Sequence, residues 1–235
     1  MDQLSVLANG MPLLLKGLAV TLELGLGFIA LGLVLGLFLA SGQIYGNRFV
    51  RVCCSGFVQI FRGIPAMVLL FVFYFGLAQI NINMSAFVAS LIAMGLRSAA
   101  YQCEVFRGAM QSIRSGQVLA VQALGMNLLQ RIRYVVLPQS LRYCLAPWSN
   151  EFAAEIKDAS LCYAIGVTEI MRQGRYIITA TFGNAMLIYV TVALIFLVVT
   201  SIGLWLLRRW ELSLRVPGLK MVLHRRRIAR ETAES

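Results

Sequence analysis

Five stretches of this chain are too long and too apolar to hide in a globular core. They run over about 13–40, 53–80, 84–106, 143–165 and 185–207. A helix needs roughly 20 mostly apolar residues to cross a bilayer, and each stretch supplies that length. In lipid every backbone N–H and C=O must be bonded internally, which leaves helices as the solution for such runs. The expected fold class is therefore an all-α integral membrane protein with about five transmembrane helices. At 59% hydrophobic and 13% charged, the chain departs far from soluble domains, which carry about a quarter charged residues. The first run is longer than a signal-peptide core and lacks a basic leader, so it is expected to be retained.

The net charge of +11 sits between and after the apolar runs. Arg48 and Arg51 follow the first. Arg107, Arg114, Arg131, Arg133 and Arg142 lie between the third and fourth, and a basic cluster fills the tail. By contrast, Asn81-Ile82-Asn83 is uncharged, and the connection after the fourth run offers Glu169, Arg172 and Arg175. Basic residues favour the cytoplasmic side, so the N-terminus is expected outside and the C-terminus in the cytoplasm. Residues 1–215 read as a single transmembrane domain and 216–235 as a basic cytoplasmic tail. The lipid bilayer is then the partner of the charge, since no basic stripe interleaved with aromatics points to nucleic acid.

Five cysteines lie in or beside apolar runs without metal spacing, and His224 lies in the tail. No metal site, resident cofactor or nucleophile with its base is expected, so the chain does not read as an enzyme. It has no Gly-x-x-x-x-Gly-Lys-Ser/Thr phosphate loop, so any ATP is expected to be hydrolysed by another chain.

Residues 112–139 form a different kind of segment. Val121, Leu124, Leu128, Ile132 and Val135 recur at spacings of three and four, making one apolar helical face. Gly125 and Asn127 interrupt it, so two short helices joined by a turn are expected, with Leu137-Pro138 stopping the helix before the fourth span. Such a face rests on lipid headgroups or docks a cytoplasmic partner.

Charged residues inside the spans are costly, at about 2.5–3.5 kcal/mol each on insertion scales. Glu23 calls for a partner on a neighbouring span, while Glu104 and Arg107 suit a local pair one turn apart. In the fourth span, Glu151, Glu155 and Asp158 stand at i, i+4 and i+7 and share a face. Counting about 1.5 Å per residue from Arg142 puts Glu151 about 13 Å deep and Glu155 about 20 Å deep. That face must meet protein or water. Pairing with Arg97, Lys157 or a partner chain is the alternative to a role in a pathway.

The segment Gly116-Gln117, Ala123-Leu124-Gly125 and Val136-Leu137-Pro138-Gln139 resembles the cytoplasmic coupling-helix loop of ABC importer permeases. The whole chain is similar to the polar amino acid permease family. It shares Thr21-Leu22, Phe61-Arg62-Gly63-Ile64-Pro65, Ala100-Tyr101 and Glu104-Val105-Phe106-Arg107-Gly108. Further matches are Asn150-Glu151-Phe152, Lys157-Asp158-Ala159-Ser160-Leu161, Gly166-Val167-Thr168-Glu169, Arg172-Gln173-Gly174 and Arg208-Arg209-Trp210-Glu211. Where the family's coupling loop usually reads Glu-Ala-Ala, this chain has Leu119-Ala120-Val121. It also has Ile64 where threonine is common, and Glu155 where an apolar residue is usual.

The resemblance implies a multi-pass permease of the bacterial inner membrane. Two permease subunits, alike or related, would form the pathway, with two ABC ATPase subunits beneath and an extracytoplasmic solute-binding protein delivering the solute. It places Asn150, Glu151 and Asp158, with the added Glu155, along a substrate pathway. Ala120, Gly125, Leu137 and Pro138 fall on the coupling surface. Two carboxylates one turn apart repel, and a cationic solute relieves that repulsion. The expected cargo is thus a polar, positively charged amino acid or opine-like derivative. An ion-gradient-driven secondary transporter of small polar solutes is the alternative, and it would lack the usual inverted repeat.

Overall fold

The computed structural model describes residues 3–113, 123–181 and 185–213, and all regular elements among them are helical. Helix α1, Gln3–Tyr45, has 43 residues and is about 64 Å long, twice the hydrocarbon thickness of about 30 Å. It is apolar on all sides, so hydrophobicity alone does not mark its ends. It extends past both limits of the expected 13–40 span.

The expected second span, 53–80, is not one rod. Helix α2, Arg48–Gly63, and helix α3, Ala66–Phe71, meet at 102°. The break follows from Pro65. A residue before proline is driven out of the helical region, and Ile64 adopts φ −90°, ψ 132° while its N–H still closes α2 on the Ile60 carbonyl. Helix α3 continues through a π turn, Val72–Gly76.

Helix α4, Ala86–Gln111, is capped by Ser85 and runs five residues beyond the expected third span. It packs against α1 through small residues. A side chain at Gly36 would meet the Ala99 carbonyl oxygen at 3.0 Å, and one at Gly32 would collide with Ser98 and Gln102. Without lipid-excluding hydrophobicity to drive association, such close backbone contact holds membrane helices together.

Leu137-Pro138 does not stop the helix as expected. Helix α5, Leu128–Arg131, passes through a π turn, Ile132–Val136, straight into helix α6, Leu137–Asp158. The Leu137 N–H reaches back five residues to the Ile132 carbonyl. This wide turn accommodates the N–H that Pro138 lacks, so proline begins α6 instead of ending α5. A 3₁₀ stretch, Ala159–Ile165, completes the fourth span and closes on Gly166 at φ 108°, a left-handed geometry that suits glycine.

Helix α7, Ile170–Thr181, stands where a plain connection was expected. Ile170, Gly174 and Ile177 give it a buried face against α1 and helix α8, Ala185–Ser213. Among the described residues two helices, α1 over Ser5–Tyr45 and α8, are long and apolar enough to cross a bilayer alone. The α2–α3 pair passes the same test only jointly, as a broken span or a re-entrant loop. The basic tail, 216–235, lies outside the described residues.

Candidate functional site

The charged residues of α2, α4 and α6 converge on one another. Arg97 of α4 donates to Asp158 of α6 at 2.9 Å. Its guanidinium also lies over the Tyr101 ring at 4.8 Å, and Arg62 of α2 lies 5.2 Å from the same ring. Arg62 approaches Glu104 at 3.7 Å, Arg107 binds Glu104 through two hydrogen bonds of 2.6 and 3.2 Å, and Arg107 also donates to Gln111. The result is a ladder that follows α4 for about 21 Å from Arg97 to Gln111. The Glu104–Arg107 pair forms as the spacing predicted.

The acidic face of α6 divides. Glu151 is half-buried, near Arg97, Arg62 and Asp158, and Asp158 closes the pair with Arg97. Glu155 instead is 2% exposed. Its carboxyl lies beside Ser98 on α4, and its Oε2 has no hydrogen-bond partner among the described residues. Helical pitch explains the division. At about 100° per residue, Glu155 is rotated about 40° from Glu151 and Asp158 about 20° the other way. The 60° between them turns Glu155 into the seam between helices. The ion pair of Arg97 is therefore with Asp158, while Glu155 lies within the field of the guanidinium without pairing to it. Asn150, one residue before Glu151, lies on the exposed side of α6, away from the carboxylates.

Sequence reasoning missed the seam itself. Trp148 donates to Gln102 Oε1 at 2.8 Å, and Gln102 Nε2 donates to Ile29 O at 3.1 Å and to Ser98 at 3.0 Å. This buried chain ends at Ser98, beside Glu155, and ties α1, α4 and α6 together. A polar residue spaced four from Ser98 in an alanine-rich helix was its signal. Glu169 was likewise read as a loop charge. It is fully buried and accepts from the N–H groups of Met171 and Arg172, capping α7, while Ile170 N–H donates to Thr21 on α1.

Of the coupling residues, Ala120 lies outside the described residues, as do Gly116, Gln117, Leu119 and Val121. Gly125 is exposed with φ 71°, and a side chain there would meet nothing within 4 Å. Asn127 and Gln130 cap each other's backbone N–H groups at 2.9 and 3.0 Å, a reciprocal box that starts α5. Leu124, Leu129 and Tyr134 are exposed around this turn. Leu137 and Pro138 stand at the π turn above it. Glu23 finds no neighbouring span. It faces outward from α1 on the same stripe as Lys16, with no ion pair among the described residues.

These observations find a match among known proteins. Residues 32–216 match the family model described as the inner membrane component of binding-protein-dependent transport systems. The chain belongs to that family. It is 35% identical to the glutamine transport system permease protein GlnP of Escherichia coli K12, over 90% of this chain and 97% of that one. It is 29% identical to the octopine transport system permease protein OccQ of Rhizobium radiobacter, over 81% and 85% of the two chains. A crystal structure of an amino acid ABC transporter with histidines superposes at TM-score 0.84 with 31% identity, covering 91% of this chain and 99% of that one. The methionine transporter MetNI, at TM-score 0.69 and 21% identity, shares the fold. The chain is thus a permease subunit of an ABC transporter, and ATP hydrolysis belongs to separate ATPase chains. The ion-gradient alternative has no support.

Proposed function

We propose that this chain forms half of an import pathway for polar, positively charged amino acids or opine-like derivatives. The observation that carries the substrate class is the Arg97–Asp158 pair beside half-buried Glu151. A guanidinium and a carboxylate side by side suit the charged ends of an amino acid. Glu151 adds a negative group for a cationic side chain. The names of the relatives, a glutamine and an octopine transport system and an amino acid ABC transporter with histidines, support amino-acid-like cargo. Glu155 stands behind this pair, buried beside Ser98 of the seam.

In this proposal α1, the broken α2–α3 pair, α4, α6 and α8 are five crossings of the bacterial inner membrane. The N-terminus is outside, and residues 1–215 form one domain. The chain itself binds no cofactor. A second permease subunit covers the outward stripe of α1, because Lys16 and Glu23 are costly against lipid. A solute-binding protein supplies the cargo from outside. Of the two ATPase subunits, one docks on each permease at the exposed turn of Gly125, and Leu137, Pro138 and Ala120 are assigned to that coupling contact. ATP in those subunits biases the pathway between its two openings.

The test is uptake by the full transporter in vesicles, with arginine, lysine, glutamine and glutamate in competition. Arginine or an opine competing better than glutamate is the expected order, and preference for glutamate overturns the charge assignment. Fusing a cytoplasm-active reporter after Gln111 or Ser213, and after Asn83 or Gln173, checks the topology. Activity at the first two sites and silence at the last two is expected. Gly125→Arg should insert normally yet lose transport and stimulated ATPase.

A further inference from the structure

Helix α2 is amphipathic the wrong way round for a soluble protein. Arg51, Ser55, Val58, Gln59 and Arg62 recur at i, i+4, i+7, i+8 and i+11, so they share one face. With Gln43 and Ile44 of α1 and Glu104, Arg107 and Gln111 of α4, that face lines an open cleft of ≈ 640 Å³. The adjoining face, which begins at Val52 about 20° round the helix from Gln59, carries Phe49, Val52 and Ile60, which are 76%, 64% and 57% exposed. Polar inside and apolar outside is the pattern of a helix with lipid behind it and an aqueous cavity before it.

The cleft is not charge-balanced. Three guanidinium groups, Arg51, Arg62 and Arg107, face one carboxylate, Glu104. Glu104 is already engaged by Arg107 and approached by Arg62, while Arg51 is exposed at the rim, one turn into α2. Two positive charges are in excess, and the amides of Gln43, Gln59 and Gln111 with the Ser55 hydroxyl add neutral donors. Guanidinium forks match phosphate oxygens in shape and charge. Basic pockets between membrane helices on the cytoplasmic side suit anionic lipid headgroups.

We infer that this cleft holds the phosphodiester headgroup of an anionic phospholipid. Arg51 contacts the phosphate at the rim, Arg62, about 16 Å deeper along α2, adds to the positive field, and the acyl chains run along the apolar outer face of α2. The free-anion source is disfavoured by that continuous apolar flank, which a soluble phosphate would not use. The lipid occupies the inner mouth of the ladder, so its binding braces α2 against α4. The inner-leaflet location rests on the orientation proposed above; headgroup binding itself needs neither that orientation nor transport.

The experiment uses the full-length permease purified with its ATPase subunits from vesicles of phosphatidylcholine with a minor fraction of phosphatidylglycerol. Mass spectrometry of the intact complex after detergent washing reads retained lipid. Wild type is expected to retain phosphatidylglycerol over phosphatidylcholine, and Arg51→Gln to lower that retention about fivefold. Arg51→Lys should keep part of it. Arg51 is exposed, so both variants should fold, and the melting temperature in phosphatidylcholine alone checks this. Equal retention of the two lipids, or phosphatidylglycerol retention unchanged in Arg51→Gln, overturns the inference. Displacement of phosphatidylglycerol by millimolar inorganic phosphate also overturns it, since the cleft would then be a site for free anions. The reporter fusions report separately on orientation.

Discussion

The two sides of α4 solve the problem of polar groups in a membrane differently. Toward α1, Ser98 and Gln102 sit in a seam closed by Gly32 and Gly36, and the Gln102 side chain donates two bonds and accepts one. Toward α2 and α6, Arg97, Tyr101 and Glu104 are partly exposed, and their partners share them: one ring with two guanidinium groups, one carboxylate with two arginines. A satisfied buried network specifies a single packing. Shared, partly hydrated partners can be exchanged at little cost, since exposed pairs are worth about 1 kcal/mol or less. The seam is built to hold the bundle, and on the proposed function the ladder is the part that meets cargo.

The strongest attempt to break this division is Gly32→Leu. Its side chain would displace Ser98 and Gln102 together, and overpacking of this kind costs about 1–3 kcal/mol before the lost hydrogen bonds are counted. We expect little folded permease by size-exclusion chromatography of a fluorescent fusion. Normal yield would show that the seam is not the structural half.

Asp158→Asn comes next. It keeps the shape but removes the charge facing Arg97, and uptake should fall about tenfold, the factor that 1.4 kcal/mol makes in an equilibrium. The melting temperature should stay near wild type, because the pair is partly exposed. A large drop in melting temperature with proportional loss of uptake would move Asp158 to the structural side.

Tyr101→Leu sharpens the ladder itself. Each cation–π contact is worth about 0.5–1 kcal/mol at partly exposed sites, so uptake should fall a few-fold, and Tyr101→Phe should restore it. Failure of phenylalanine to rescue would mean that the phenol, and not the ring face, matters.

The smallest effect is expected for Glu155→Gln. The amide keeps the size of the buried carboxyl and removes a charge that no ion pair among the described residues holds, so uptake of a cationic and of a neutral amino acid should stay within about twofold of wild type. Glu155→Leu should reduce both substrates equally by loosening the seam. Selective loss of the cation would place Glu155 in the pathway after all.

Much of this architecture was legible in hydropathy. The runs at 13–40, 84–106 and 185–207 became α1, α4 and α8, because lipid demands long apolar helices whatever the rest of the chain does. Helix ends were not legible, since α1 stays apolar well beyond any bilayer. Pro65 was read within a family motif and not as the break that proline imposes on its predecessor. Leu137-Pro138 was read as a stop because an α turn cannot accommodate proline there, whereas a π turn does. The acidic face was found by spacing, but spacing of i and i+4 leaves about 40° of drift, enough to take Glu155 out of the site. Helix α7 went unseen because its buried stripe is short, although Ile170, Gly174 and Ile177 announce it. Nothing in the fourth span alone could assign Arg97 to Asp158, 61 residues away.

The unbroken backbone from Leu128 to Asp158 has a mechanical meaning. No loop interrupts it, and the π turn at Ile132–Val136 widens the helix without cutting it. A twist applied at Leu128, three residues past Gly125, is therefore carried along a shaft of about 45 Å to the carboxylate that grips Arg97. Loops absorb torque, and within that shaft there is none to absorb it. On the proposed roles, the hand that turns the crank and the fingers that hold the cargo belong to one continuous rod.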